Sequence, residues 1–245
     1  MTDPDQTSSP FARRGFIVAG VVVALLLIAA VAVVFTGGGN DSKAPRAQAG
    51  QQTAATTPAQ SSSSTSSGCH QPAGYQLPPV AAPANKWELV GKLVAPSDPT
   101  GAGPGKKSSD GLRSCFAHDP TGALFAAVNW LGTTSSADLL SSALTTLTAP
   151  GPGRDAMRAK LASDPSAVIG DGGYQVAGFS FLTYTGDVAM MNLAVDVVGG
   201  RQAAIPMTLQ WSGHDWLVQL PADGKVLAGL QILDNLTGYV PWSGA

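Results

Sequence analysis

Residues 15–35 (GFIVAGVVVALLLIAAVAVVF) form an uncharged, almost wholly apolar run, and no other feature constrains the chain's organisation as strongly. About twenty such residues suffice to cross a hydrocarbon core of roughly 30 Å as a helix. Val and Ile are poor helix formers in water, but in lipid the backbone amides have no partners except one another, so the run must be helical there. Arg13 and Arg14 abut its N-terminal end, whereas Lys43 and Arg46 stand farther from the other end and are offset by Asp41. Cationic residues favour the cytoplasmic side, which predicts a cytoplasmic N-terminus and an exported remainder. A cleaved export signal is the competing reading, with Ala30-Val31-Ala32 as a cleavage box and Arg13-Arg14 as a twin-arginine signal. The run exceeds the usual h-region of about 7–15 residues, which favours a retained anchor. The expected organisation is a cytoplasmic tail (1–14), a membrane helix (15–36), a linker (37–68) and one extracytoplasmic domain (69–245).

The linker carries no aromatic residue and no aliphatic one larger than Ala, and it ends in a Ser/Thr tract at 61–67. Such a segment cannot bury a core and is expected to be disordered. A flexible coil of about thirty residues spans roughly 30 Å, which suits a tether. Beyond it the chain is long enough for one proper core. Ten basic and thirteen acidic residues lie from 69 onward, with no basic cluster beyond Lys106-Lys107. That balance argues against nucleic acid as a direct partner.

The two cysteines, Cys69 and Cys115, both fall on the exported side. An even count there points to a disulfide, worth roughly 4 kcal/mol in the chain-entropy model. A zinc site is the alternative, since Cys69-His70 and Cys115-x-x-His118 supply two Cys and two His. Adjacent Cys-His is poor ligand spacing, and exported thiols tend to oxidise. No motif calls for a metal or any other cofactor.

Within the domain, residues 87–94 read as a first strand, and 95–110, rich in Pro, Gly and Ser, as a mobile loop. The best helix start is Asp119-Pro120. The proline holds Asp119 outside the α region, as a cap requires, and takes the first helical position itself. Leu124, Ala127, Val128 and Leu131 share one face of that helix. A second helix is expected over 137–147, capped by Ser135 or Ser136 and stopped by Pro150-Gly-Pro-Gly, and a third over 154–162. Then closely spaced turns separate strands at 174–185, 188–198, 202–211 and 216–220, an antiparallel meander. Pro206 marks its strand as an edge or a bulge. The fold class is α+β, with helices on one face of a curved four-stranded antiparallel sheet.

Candidate chemistry is sparse. His118-Asp119 could supply a general base, but Asp119 already caps a helix and neighbouring side chains seldom face each other. Asp196 and His214 are the acid and histidine available on the predicted strands and their hairpin, and Asp196 is expected to face solvent. Asp171-Gly172-Gly173 reads as a turn, because it neither follows a strand nor opens a helix. No G-x-S-x-G, H-E-x-x-H or P-loop pattern occurs, and Glu88 is the sole glutamate. Catalysis is therefore not expected. Trp211 and Trp216 bracket a hairpin and should pack on it. Tyr239 and Trp242, at the C-terminus, are candidates for a protein interface, since Tyr and Trp dominate binding hot spots.

Two stretches carry a resemblance: residues 110–129, with Phe116-Ala117-His118-Asp119-Pro120-Thr121-Gly122-Ala123 at their centre, and the tail Gly238-Tyr239-Val240-Pro241-Trp242. They resemble an uncharacterised actinobacterial family of membrane-anchored proteins found with integrative conjugative elements. The helix-then-meander order is similar to the SnoaL-like (cystatin-like) cone fold of scaffold subunits in conjugative type IV secretion systems. The resemblance implies a scaffold or interaction subunit with protein partners in an envelope complex, and it admits a homo-oligomer. It carries over no catalytic residue. The contrasting class is a displayed small-molecule-binding or enzymatic cone, which would show an apolar cup holding buried polar side chains.

Overall fold

The computed structural model of the chain describes Cys69, Gly74 and residues 76–170, 173–227 and 229–244. The tail, membrane helix and linker expected over 1–14, 15–36 and 37–68 lie outside the described residues. Among the described residues no helix is long and apolar enough to cross a membrane.

The expected first strand is a hairpin, β1 (Lys86–Val90) and β2 (Leu93–Ser97), paired from Lys86↔Ser97 to Val90↔Leu93. Gly91 is the reason: it adopts φ +57 and turns the chain where a strand would have run on. The side-chain amide of Gln175 ties this hairpin to the main sheet, accepting from the Val94 amide (3.0 Å) and donating to the Lys92 carbonyl (3.1 Å). The expected mobile loop at 95–110 is packed in its first part, while residues 105–110 are exposed. Ala95 and Ala102 are buried, and β3 (Lys106–Lys107) pairs with β4 (Arg113–Ser114). Its Pro and Gly content encodes turns against the core.

Helix α1 (Pro120–Thr133) starts as expected, with the Asp119 carboxylate accepting from the Gly122 amide at 2.7 Å. All of its residues but Thr121 are buried, so its apolar surface runs all round, beyond the single face read from the spacing. Helix α2 (Ala137–Thr146) is capped by Ser136, and α3 (Pro152–Ser163) opens on a proline at its first turn. Pro150-Gly-Pro-Gly thus ends one helix and begins the next.

The meander comprises β5 (Tyr174–Tyr184), β6 (Val188–Val197), β7 (Arg201–Trp211) and β8 (Trp216–Gln219). The sheet has six strands where four were expected. β10 (Val240–Pro241) pairs with β5, and β9 (Gln231–Leu233) pairs with β7 beside β8. Strands of two or three residues leave no readable alternation, which is why the sequence conceals them. β7 is central, not an edge, yet it contains Pro206. β9 covers Gln202–Ala204 and β8 covers Thr208–Trp211, so the proline, which has no N–H, falls in the gap between them. Helix α1 packs on β6, β7 and β8, and Leu124, Phe125, Val128 and Leu131 join Met191, Leu193, Ile205 and Leu209 in one core.

Candidate functional site

The β7–β8 hairpin places Trp211 opposite Trp216, with ring centroids 5.5 Å apart. Its turn is fixed by Ser212, whose hydroxyl donates to the Asp215 carbonyl (2.8 Å) and accepts from the Asp215 amide (3.0 Å). That turn directs the Asp215 carboxylate inward, where it accepts from the amides of Cys115 (2.6 Å), Phe116 (3.2 Å) and Trp216 (2.9 Å). Burial raises its pKa and the three amides oppose the rise. The carboxylate holds Cys115 at its left-handed φ of 65. Asp215 drew no attention in the sequence, although Ser-x-x-Asp in a tight turn is a signal for such a local clamp.

His118 lies against this hairpin. Its ring stacks on Trp211 (4.1 Å, 6°) and meets the edge of Trp216, whose Nε1 donates to the Ala117 carbonyl. His118 Nε2 is 3.1 Å from Asp187 Oδ1 and 3.2 Å from the Gly186 carbonyl oxygen, both in the β5–β6 turn. The histidine is thus brought to Asp187, not to Asp119. Asp119 is committed to its helix cap, and its burial raises its pKa. A His–carboxylate contact can move protons, but here the bonded nitrogen ties the segment before α1 to the β5–β6 turn while the ring face is covered by indole. The remaining candidates lie apart: Asp196 is exposed and accepts from Gln202 Nε2 (3.0 Å), and His214 sits on the exposed turn.

The cysteines form the expected disulfide, with Cα atoms 5.2 Å apart across a sequence separation of 46. Bonded thiols are not free to ligate zinc. Among the described residues no cluster of three or more His, Cys, Asp or Glu could hold a metal ion.

The two tail aromatics part company. Trp242 is 5 % exposed and packs on Trp87, Phe125 and Phe179. Its Nε1 donates to Asn85 Oδ1 (2.9 Å) and its amide to the Ala177 carbonyl (3.0 Å). The tail is docked on its own domain, so Trp242 is a core residue with little surface left for a partner. Tyr239 is half-buried.

The outer face of the sheet carries little charge. Register places Ser180, Thr183, Met190, Asn192, Pro206 and Thr208 on it, with Leu182 exposed at the adjacent bulge. Across β5, β6, β7 and β8, Asp196 and Arg201 are the sole Asp, Glu, Lys or Arg residues, both near one end.

Residues 48–241 match the model of a family described as a domain of unknown function, DUF8175. Neither the curated proteins nor the solved structures contain a match.

Proposed function

The chain belongs to the DUF8175 family, and because that family supplies no chemistry, we propose from the molecule's own surfaces that it is a membrane-anchored, extracytoplasmic protein-interaction subunit. The observation that carries the reading is the outer sheet face, which is free of charge away from the Asp196 end. Solvated antiparallel sheets ordinarily alternate apolar inward with polar or charged outward. Depletion of charge together with exposed Met is the composition of an interface core. Met190 is 40 % exposed and Leu182 59 %. The inner face, where a cone-fold ligand would sit, is occupied by α1. The buried carboxylates of Asp119 and Asp215 are engaged by backbone amides. Both points favour binding over chemistry.

The partners are protein subunits of an envelope complex, on this reading one for conjugative DNA transfer, with the domain held outside the membrane by the helix at 15–36. The test is complementation of a donor strain lacking the gene with wild type or with Met190→Glu plus Thr208→Lys. These two positions are directly opposite in the sheet, so the new charges pair and the fold is spared. The variant should melt like wild type, lose its cross-linked high-mass species and lower transfer by about tenfold or more, equivalent to about 1.4 kcal/mol of affinity. Transfer that survives deletion of the gene ends the conjugation assignment. Intact cross-links in the variant end the assignment of the sheet face.

A further inference from the structure

A cavity on the other side of the domain has no part in that reading. Two glycines set it up. A Cβ on Gly153 would lie 2.3 Å from the Pro221 carbonyl oxygen, and one on Gly224, at φ +68, would lie 2.7 Å from the Met157 amide nitrogen. The chain leaving β8 is therefore pressed backbone to backbone against the start of α3. Lys160 Nζ donating to the Asp223 carbonyl (2.7 Å) adds a second tie. Beyond these contacts, α3, the segment at 167–170, Tyr174 and the chain at 224–227 enclose a cavity of about 520 Å³.

Met157, Val168, Val226 and Leu227 give its lining an aliphatic character. The hydroxyls of Thr134 and Tyr174 bond each other at 2.8 Å, and Thr134 also donates to the Leu131 carbonyl, so this polar pair is internally satisfied. Charge enters at Lys160 and Lys225. Among the described residues Asp223 is the one carboxylate in an ion pair with either of them, 3.8 Å from Lys225 Nζ, and Lys160 forms none. Lys225 remains 69 % exposed in its side chain. An apolar interior with a few placed polar groups, in a volume of about 300–1,000 Å³, is the ordinary form of a small-ligand site.

We propose that this cavity binds a single-chain carboxylate amphiphile, its alkyl tail among Met157, Val168, Val226 and Leu227 and its head group at Lys160 and Lys225. The two halves of the site select the ligand. The aliphatic lining rewards a chain by burial, and the ammonium groups favour an anion through charge-assisted hydrogen bonds. Anionic alkyl chains fit both requirements, and cationic ones of equal length fit only the first.

A photoactivatable diazirine analogue of laurate, added to the full chain in membrane vesicles, tests this. Cross-linked peptides should come from residues 157–170 and 224–227. Excess laurate should compete, and dodecyltrimethylammonium should not. Lys225→Glu, at an exposed position, should weaken labelling of those peptides about tenfold. Leu227→Asp should weaken it independently, with each variant's melting temperature measured alongside. Labelling confined to residues 15–35, or equal competition by the cationic amphiphile, would overturn the proposal. So would persistence of the cross-links in both folded variants. The sheet-face variant should label like wild type, so failure here leaves the interaction reading standing, and the reverse holds too.

Discussion

Trp242 shows how a single side chain can close a domain. Its indole is enclosed by three aromatic rings and hydrogen-bonded to Asn85, so truncation would open a large cavity beside Phe125 and Phe179. Trp242→Ala is expected to cost about 3–5 kcal/mol in chemical denaturation, whereas Tyr239→Ala, at a half-buried position, should cost far less. Equal effects would mean that the tail aromatics act as one patch. The sequence displays both as aromatic but cannot separate them, because the partners of Trp242 lie far back in the chain. Titration divides the carboxylates in the same way. Asp110 accepts from Ser108, from Ser142 (2.6 Å) and from the Leu112 amide, and these bonds lower its pKa to about 2. An acid with a lowered folded pKa stabilises the fold above its ordinary value of about 3.9 and withdraws that contribution as pH falls toward the lowered one. Asp119 and Asp215, raised by burial, act in the opposite sense: their contribution is present at low pH and fades as pH rises through the raised values. Asp110→Asn should therefore be less stable than wild type at neutral pH, with the gap closing between about pH 4 and pH 2. Thermal melts across that range check it, and a constant gap would remove the carboxylate from the account.

At the scale of elements, the close approach of α1 to the β1–β2 hairpin decides more than helix propensity does. A Cβ on Gly132 would lie 2.8 Å from the Val90 carbonyl oxygen and 2.9 Å from Val90 Cβ. Opposite it, Gly91 at φ +57 brings the hairpin turn onto the C-terminal end of α1. In an exposed helix Gly→Ala would gain about 1 kcal/mol. Here the added methyl meets a backbone carbonyl that cannot rotate away, so Gly132→Ala should destabilise, by about 1–3 kcal/mol on the scale of overpacked cores. A gain in stability would show that the hairpin yields. What the sequence made readable follows the same division. The third helix begins at Pro152, two residues ahead of the expected 154, whereas helix starts at Asp119 and Ser136 and the four meander strands are written in local chemistry, in caps, prolines and turns. The hairpin at Gly91 and the short strands β9 and β10 are not, because their register depends on residues remote in sequence. Pro206 is the instructive case. Its rule holds, since no ladder bond is lost, but the gap that satisfies it exists only once β9 and β8 share one edge of β7. The His118–Asp187 contact was hidden for the same reason, being made between the segment before α1 and the distant β5–β6 turn.

For the whole molecule, the disulfide joins two segments far apart in the chain. Cys69 bonds to Cys115, which is itself held by the Asp215 carboxylate. The bond therefore fastens Cys69 to a segment already fixed by the β7–β8 turn. Closing a loop of this length is worth roughly 4 kcal/mol in the chain-entropy model. A Cys69→Ser, Cys115→Ser double variant should unfold at correspondingly lower denaturant. The same bond reports topology, because it persists only on the oxidising side of the membrane. In intact cells stripped of their wall, a membrane-impermeant maleimide should label no thiol until an external reductant is added. Labelling should then appear at Cys69 and Cys115, while an N-terminal tag stays protected from added protease. Two labelled thiols without reductant would refute the disulfide in the native envelope. A digested N-terminal tag would reverse the orientation drawn from Arg13 and Arg14, and a soluble product lacking that tag would replace the anchor with a cleaved signal.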